Sequence, residues 1–146
     1  MRLPVGVTHQ LWYRIVMETT VHVTAATPYL CVRGAEKALT FYRDAFGADI
    51  VGQPIMYEGR IGHAVFRIGS CEFFIADESP ESGVQSPITL GACTCTIVLI
   101  TNNVDGFVQR AEAAGATVAQ KPIDQPYGRT AKIVDPFGQR WIIESD

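Results

Sequence analysis

The stretch Ile133-Val134-Asp135-Pro136-Phe137-Gly138-Gln139-Arg140-Trp141-Ile142-Ile143-Glu144-Ser145 has the form strand, turn, strand. Ile133 and Val134 enter, Asp135 to Gly138 makes the turn, and Trp141-Ile142-Ile143 leaves. Pro136 fixes its own φ and suits a turn, while Gly138 is free to take the positive φ that closes one. A hairpin with this apolar load must cover something. What precedes it shows that it ends a unit, and that the unit occurs twice.

Upstream of the hairpin, Thr96–Ile100 has strand composition. Val104–Ala114 places Val104, Phe107, Val108 and Ala111 on one helical face, and Gly115 stops that helix. Strands are expected at 117–123, 129–134 and 140–144. The first half has the same order. A strand at 28–32 is followed by a helix at 35–46, with Ala35, Ala38, Leu39, Tyr42, Ala45 and Phe46 on one face. Gly47 closes the helix, and strands follow at 49–57, 61–68 and 71–76. Gly47, Ala48 and Pro54 recur 68 residues later as Gly115, Ala116 and Pro122. Gly59-Arg60 and Gly69 recur 69 residues later as Gly128-Arg129 and Gly138. Turn residues in matched register are the mark of a duplication.

The expected fold is therefore α+β: two tandem β-α-β-β-β modules forming curved mixed sheets around a cleft. The modules span residues 26–77 and 95–146. Residues 78–94, with Ser79-Pro80 and Ser86-Pro87, form a linker, and residues 26–146 make one domain. With each helix on the outer face, the inner faces would enclose the cleft, and clefts between duplicated modules are default small-molecule sites. Residues 1–25 are an N-terminal extension, in which residues 11–16 and 19–24 are strand candidates; Met17 is an alternative start.

Composition narrows the function. Twelve Lys and Arg against fifteen Asp and Glu leave a net charge of −3, so no basic footprint for nucleic acid or an anionic membrane is present. No apolar run approaches the roughly 20 residues that span a bilayer. Residues 1–18 lack the long apolar core of a signal peptide, and a cytoplasmic location is expected. Cys31, Cys71, Cys93 and Cys95 contain no C-x-x-C pair and read as small buried hydrophobes. No phosphate-binding glycine motif or hydrolase triad is visible.

Three stretches carry a family resemblance. They are Thr27-Pro28-Tyr29-Leu30 with Ala38-x-x-Phe41-Tyr42-x-x-Ala45-Phe46-Gly47-Ala48, then Ala111-x-x-Ala114-Gly115-Ala116, and Asp135-Pro136-Phe137-Gly138-x-Arg140-Trp141. On these, residues 26–144 resemble the glyoxalase/bleomycin-resistance/dioxygenase (vicinal oxygen chelate) superfamily, and within it the PhnB-like proteins. The resemblance implies a cleft in which metal enzymes hold a divalent ion with ligands from the first and last strand of each module. Carried onto this chain, those positions are Thr27, Cys95, Phe73 (or Ile75 in another register) and Ile142. Three of the four are not ligands, so no metal and no cofactor is expected. A shifted set of Glu144, His63 and Cys95 is the alternative.

The expected function is metal-independent binding or sequestration of a small molecule, drug or metabolite, by a homodimer. The alternatives are a metal-dependent lyase or dioxygenase with displaced ligands, and a metal-free isomerase or lyase with His63 as general base. Candidate ligand contacts are Tyr29, His63, Cys95, Tyr127, Arg129 and Trp141, with Arg129 as an anion clamp.

Overall fold

A computed structural model describes Gly6, residues 8–11, Tyr13, Arg14 and residues 21–146. Strand β1 (Tyr29–Val32) leads into helix α1 (Ala35–Phe46), then β2 (Asp49–Tyr57), β3 (Arg60–Ile68) and β4 (Cys71–Asp77). A 3₁₀ turn (Pro80–Ser82) and a short helix α2 (Pro87–Leu90) follow. The second unit is β5 (Thr96–Thr101), α3 (Val104–Ala113), β6 (Thr117–Gln125), β7 (Gly128–Val134) and β8 (Arg140–Ser145). Each unit makes one four-stranded mixed sheet, in the orders β1-β4-β3-β2 and β5-β8-β7-β6. In each, the first strand runs parallel to the last and the other pairs are antiparallel. Among the described residues, no helix is long and apolar enough to cross a membrane.

The duplication read from turn residues is a duplication of backbone. Gly47 and Gly115, Gly59 and Gly128, and Gly69 and Gly138 all have positive φ. Pro54 and Pro122 both lie where the ladder of an edge strand shifts register, between Val51 and Ile55 and between Gln120 and Ile123. A residue without an N–H is tolerated at such places. The strand expected at 11–16 is not formed: Leu11, Tyr13 and Arg14 are helical, and Trp12, Ile15 and Val16 lie outside the described residues. Of 19–24, the described part, Val21 to Thr24, has no regular structure. The 78–94 segment is more ordered than a linker. Ser86 caps α2 by accepting from Thr89 N–H, and Pro87 takes the first helical position.

Alternation along the strands sends one set of side chains to the helices and the other to the open face. Phe66, Phe73, Ile75, Trp141 and Ile143 are buried on the helix side. Helices α1 and α3 pack on each other: Phe46 meets Phe107 at 5.0 Å between ring centroids, and Arg110 Nε donates to the Ala45 carbonyl at 2.6 Å. Trp141 reaches Tyr42, Phe46 and Phe73. The helix-covered sides of both sheets thus share a single core.

Asp135 locks that core. Its Oδ2 accepts from the Tyr42 hydroxyl at 2.7 Å and from Trp141 Nε1 at 2.9 Å. Its Oδ1 accepts from Phe137 and Gln139 N–H, which shapes the β7–β8 turn. Burial pushes the Asp135 carboxyl above its ordinary pKa, and the four donors only partly offset this. Burial, and then the neighbouring carboxylate, likewise raise the Tyr42 phenol well above its usual value.

Candidate functional site

A cavity of about 650 Å³ lies on the open face of the first sheet and is lined by residues between Tyr29 and Val84. Tyr29, Cys31, Ile55, Tyr57, His63 and Val84 form much of its wall. Strand β1 supplies Tyr29 directly opposite Phe74 of β4, and β3 supplies His63 opposite Ile55 of β2. The rings of Tyr29, His63 and Phe74 meet edge to face, with centroids 4.8 to 5.6 Å apart. Gly62 leaves room for Tyr57, because a Cβ there would stand 3.1 Å from the Cβ of Tyr57.

The polar element of this wall is a hydrogen-bonded pair. The Tyr29 phenol oxygen is 3.2 Å from the Gly62 carbonyl and 3.0 Å from Nδ1 of His63. With the phenol proton directed to Gly62, the phenol accepts from Nδ1–H and Nε2 of His63 keeps a free lone pair; with that proton directed to Nδ1, Nε2 is the protonated nitrogen. Both residues are candidates from the sequence, and the fold brings them into contact.

The segment after β4 closes one side of the cavity through Ser79 and Val84, which bridge each other. Glu78 fastens it. Its carboxylate accepts from the Thr89 hydroxyl, from Arg33 Nε at 2.8 Å and from Ser86 N–H at 3.0 Å. These three donors, Thr89 foremost, hold the Glu78 pKa down from 4.5 to about 2. A carboxylate depressed on folding stabilises above its unfolded pKa, and that contribution is lost as pH falls through the folded value. The Ser86–Leu90 helix should therefore loosen between pH 4.5 and about 2. Amide exchange at Ser86 and Thr89 should accelerate in that window, and Glu78→Gln should give the faster exchange already at neutral pH. A sequence signal for this segment did exist: Ser86-Pro87 is a helix start.

A search against family models matches residues 19–143 to the Glyoxalase/Bleomycin resistance protein/Dioxygenase superfamily. The chain belongs to this superfamily. An uncharacterized protein of Mycobacterium bovis is 36% identical over 123 residues, covering 82% of this chain and 81% of that protein. An uncharacterized protein of Arabidopsis thaliana is 29% identical, covering 72% and 68%. Among solved structures, a hypothetical protein of S. aureus superposes with a TM-score of 0.68 at 20% identity, covering 86% of this chain and 96% of that one. TioX from Micromonospora sp. ML1 gives 0.64 at 21% identity, covering 84% and 96%. The fosfomycin resistance protein FosX of Listeria monocytogenes gives 0.64 at 16% identity, covering 86% and 93%. At these identities the structures show the shared fold.

The superfamily's metal positions do not fit an ion in this chain. Phe73 and Ile75 are both in the core, so the register inferred from sequence is off by one: Phe74 faces the open side, opposite Tyr29. Phe74 and its counterpart in the second unit, Ile142, are hydrocarbon. The shifted set does not assemble within the chain either. His63 lies on the first sheet, Glu144 on the second, and no three His, Cys, Asp or Glu among the described residues could hold an ion together. No step through a metal follows from these residues.

The remaining candidates scatter. Trp141 is fully buried and donates to Asp135, so it is a core residue and not a ligand contact. Arg129 is not a free clamp: its guanidinium is bound by Asp105 and Asp124, which raise its pKa further. Tyr127 is exposed in the β6–β7 turn. Cys95 lines a separate cavity of about 240 Å³ with Cys31 and Cys93. The four cysteines are free, and none is buried as expected: Cys71 and Cys95 are exposed, and Cys31 and Cys93 are half-buried. Each sits on an open face or a loop, where packing does not enclose it.

Proposed function

We propose that this protein is a PhnB-like member of the superfamily that binds, and thereby sequesters, a small and largely apolar drug or metabolite. It acts without metal, as a cytoplasmic homodimer. The observation that carries this reading is the Tyr29–His63–Phe74 edge-to-face cluster on the cavity of about 650 Å³. That volume is in the range of drug-sized sites, and its wall is mostly hydrocarbon with a few placed polar groups. The superfamily description names bleomycin resistance, and the structural relative FosX is itself a fosfomycin resistance protein. Exposed apolar side chains on the open sheet faces support the dimer. Tyr29, Ile55 and Tyr57, at the cavity of the first sheet, and Val98 and Ile100 on the second sheet are all exposed, and such apolar side chains are the kind a twofold partner covers.

A panel of aromatic drug-sized compounds, assayed by calorimetry and thermal shift, tests the reading. Binders should lose at least tenfold in affinity on Ile55→Arg, which places a charge in the cavity, and several-fold on Tyr29→Phe. Binding that ignores both substitutions would remove the site from this cavity.

The Tyr29–His63 contact favours one second reading, a metal-free isomerase or lyase with Nε2 of His63 as general base. Turnover abolished by His63→Gln with ligand affinity retained would select it over sequestration.

A further inference from the structure

We propose a second binding site, for an oxyanion, on the open face of the second sheet at its β7–β8 end, formed by Thr96, Lys132 and Arg140. Three neighbouring strands supply the three residues. Thr96 of β5 stands directly opposite Arg140 of β8, and Lys132 of β7 stands opposite Ile142, two residues along β8 from Arg140. Side chains two apart on a strand share a face, and diagonal neighbours are within reach of long side chains. The three line one cavity of about 220 Å³, with Ile142 as its apolar floor.

Neither cation of this site is in an ion pair, although Glu144 shares the face, diagonal to Lys132 on the side away from Arg140. Among the described arginines, Arg33, Arg43, Arg60, Arg67 and Arg129 are in ion pairs, Arg110 donates to a backbone carbonyl, and Arg14 has an interaction of its own. Of these arginines Arg140 alone has no partner, and no carboxylate among the described residues pairs with Lys132.

The duplication gives an internal control. At the same place in the first sheet, Glu72 of β4 faces Arg67 of β3, and the two bond each other at 3.0 Å. In the second sheet the Glu72 position is Arg140 and the Arg67 position is Val134, which face each other across β8 and β7. A self-neutralised pair in one unit has become an unpaired cation in the other, with Lys132 added where the first unit has Val65. A planar guanidinium, an ammonium and a hydroxyl around a small cavity match a carboxylate or phosphate head group, with Ile142 beneath an apolar tail. This site shares no lining residue with the cavity of the first sheet.

Phenyl phosphate, benzoate and uncharged benzyl alcohol, titrated against the full chain and followed by amide and arginine Nε–H resonances, provide the test. Phenyl phosphate or benzoate should shift Thr96, Lys132 and Arg140 where benzyl alcohol does not. Response to one acid alone would identify the head group as phosphate or carboxylate. Arg140→Gln and Lys132→Gln should each weaken binding about tenfold, and Arg67→Gln should leave it unchanged. Absence of shifts with both acids, equal shifts with benzyl alcohol, or full affinity in Arg140→Gln would overturn the proposal.

Discussion

Replacing Asp135 with alanine should cost about 3–5 kcal/mol, read as a fall in the urea midpoint at unchanged slope. Four donors lose their acceptor together, and two of them, the Tyr42 hydroxyl and Trp141 Nε1–H, belong to fully buried side chains. A buried donor left unpaired costs roughly 1–3 kcal/mol, more than a made bond contributes net. Tyr42→Phe removes one donor and leaves Asp135 with three, so it should cost only about 1–2 kcal/mol. The pH dependence has a definite sign. Burial raises the folded pKa of Asp135, so the folded state holds the extra proton, and stability falls as pH rises from the unfolded value through the folded one. Asp135→Asn should remove that slope while keeping a carbonyl acceptor for Phe137 and Gln139. A wild-type midpoint in Asp135→Ala would mean that the two units do not depend on this contact to stay packed.

The duplicated architecture was legible because turn chemistry is local. A glycine that must take positive φ, or a proline at an edge bulge, is selected by its own backbone, and those constraints recur in register. Helix α1 was readable to its ends because Ala35 to Phe46 keeps one apolar stripe and Gly47 terminates it. Which strand residue faces the open side was harder. Phe73-Phe74-Ile75 is apolar throughout, so alternation could not fix the register of β4, and only the pairing of Tyr29 with Phe74 does. Trp141 and Arg129 were misassigned because their partners, Asp135, Asp105 and Asp124, are brought to them by turns and by packing between elements. The wall at Ser79–Val84 was missed for a related reason: what orders it is Glu78 binding Arg33 and Thr89 across 45 and 11 residues.

Asp77 should be the second costly position, and its counterpart in the other unit should not be. Helix α1 begins at Gly34, which has no side chain to cap it, and Asp77 supplies the cap from the end of β4. Its Oδ1 accepts from Gly34 and Ala35 N–H at 2.9 and 2.8 Å, and its Oδ2 from Ile61 N–H at 2.9 Å. In the second unit these duties are divided. Asn103 caps α3 itself by accepting from Gly106 N–H, and Ser145, 68 residues after Asp77, only accepts from Arg129 N–H. Loss of a cap costs roughly 0.5–2 kcal/mol, and a further orphaned N–H adds about 1–3 kcal/mol where it is shielded from water. Asp77→Ala should therefore lower stability by about 2–4 kcal/mol, against about 1 kcal/mol or less for Ser145→Ala. Asp77→Ser, too short to span both strands and helix, should recover only part of the loss. Because Asp77 also lines the cavity, its loss should weaken ligand binding beside Tyr29 and His63, which Ser145→Ala should leave intact. Equal losses from both alanine variants would mean that α1 is held by its apolar face alone and that the cap contributes nothing to the cavity.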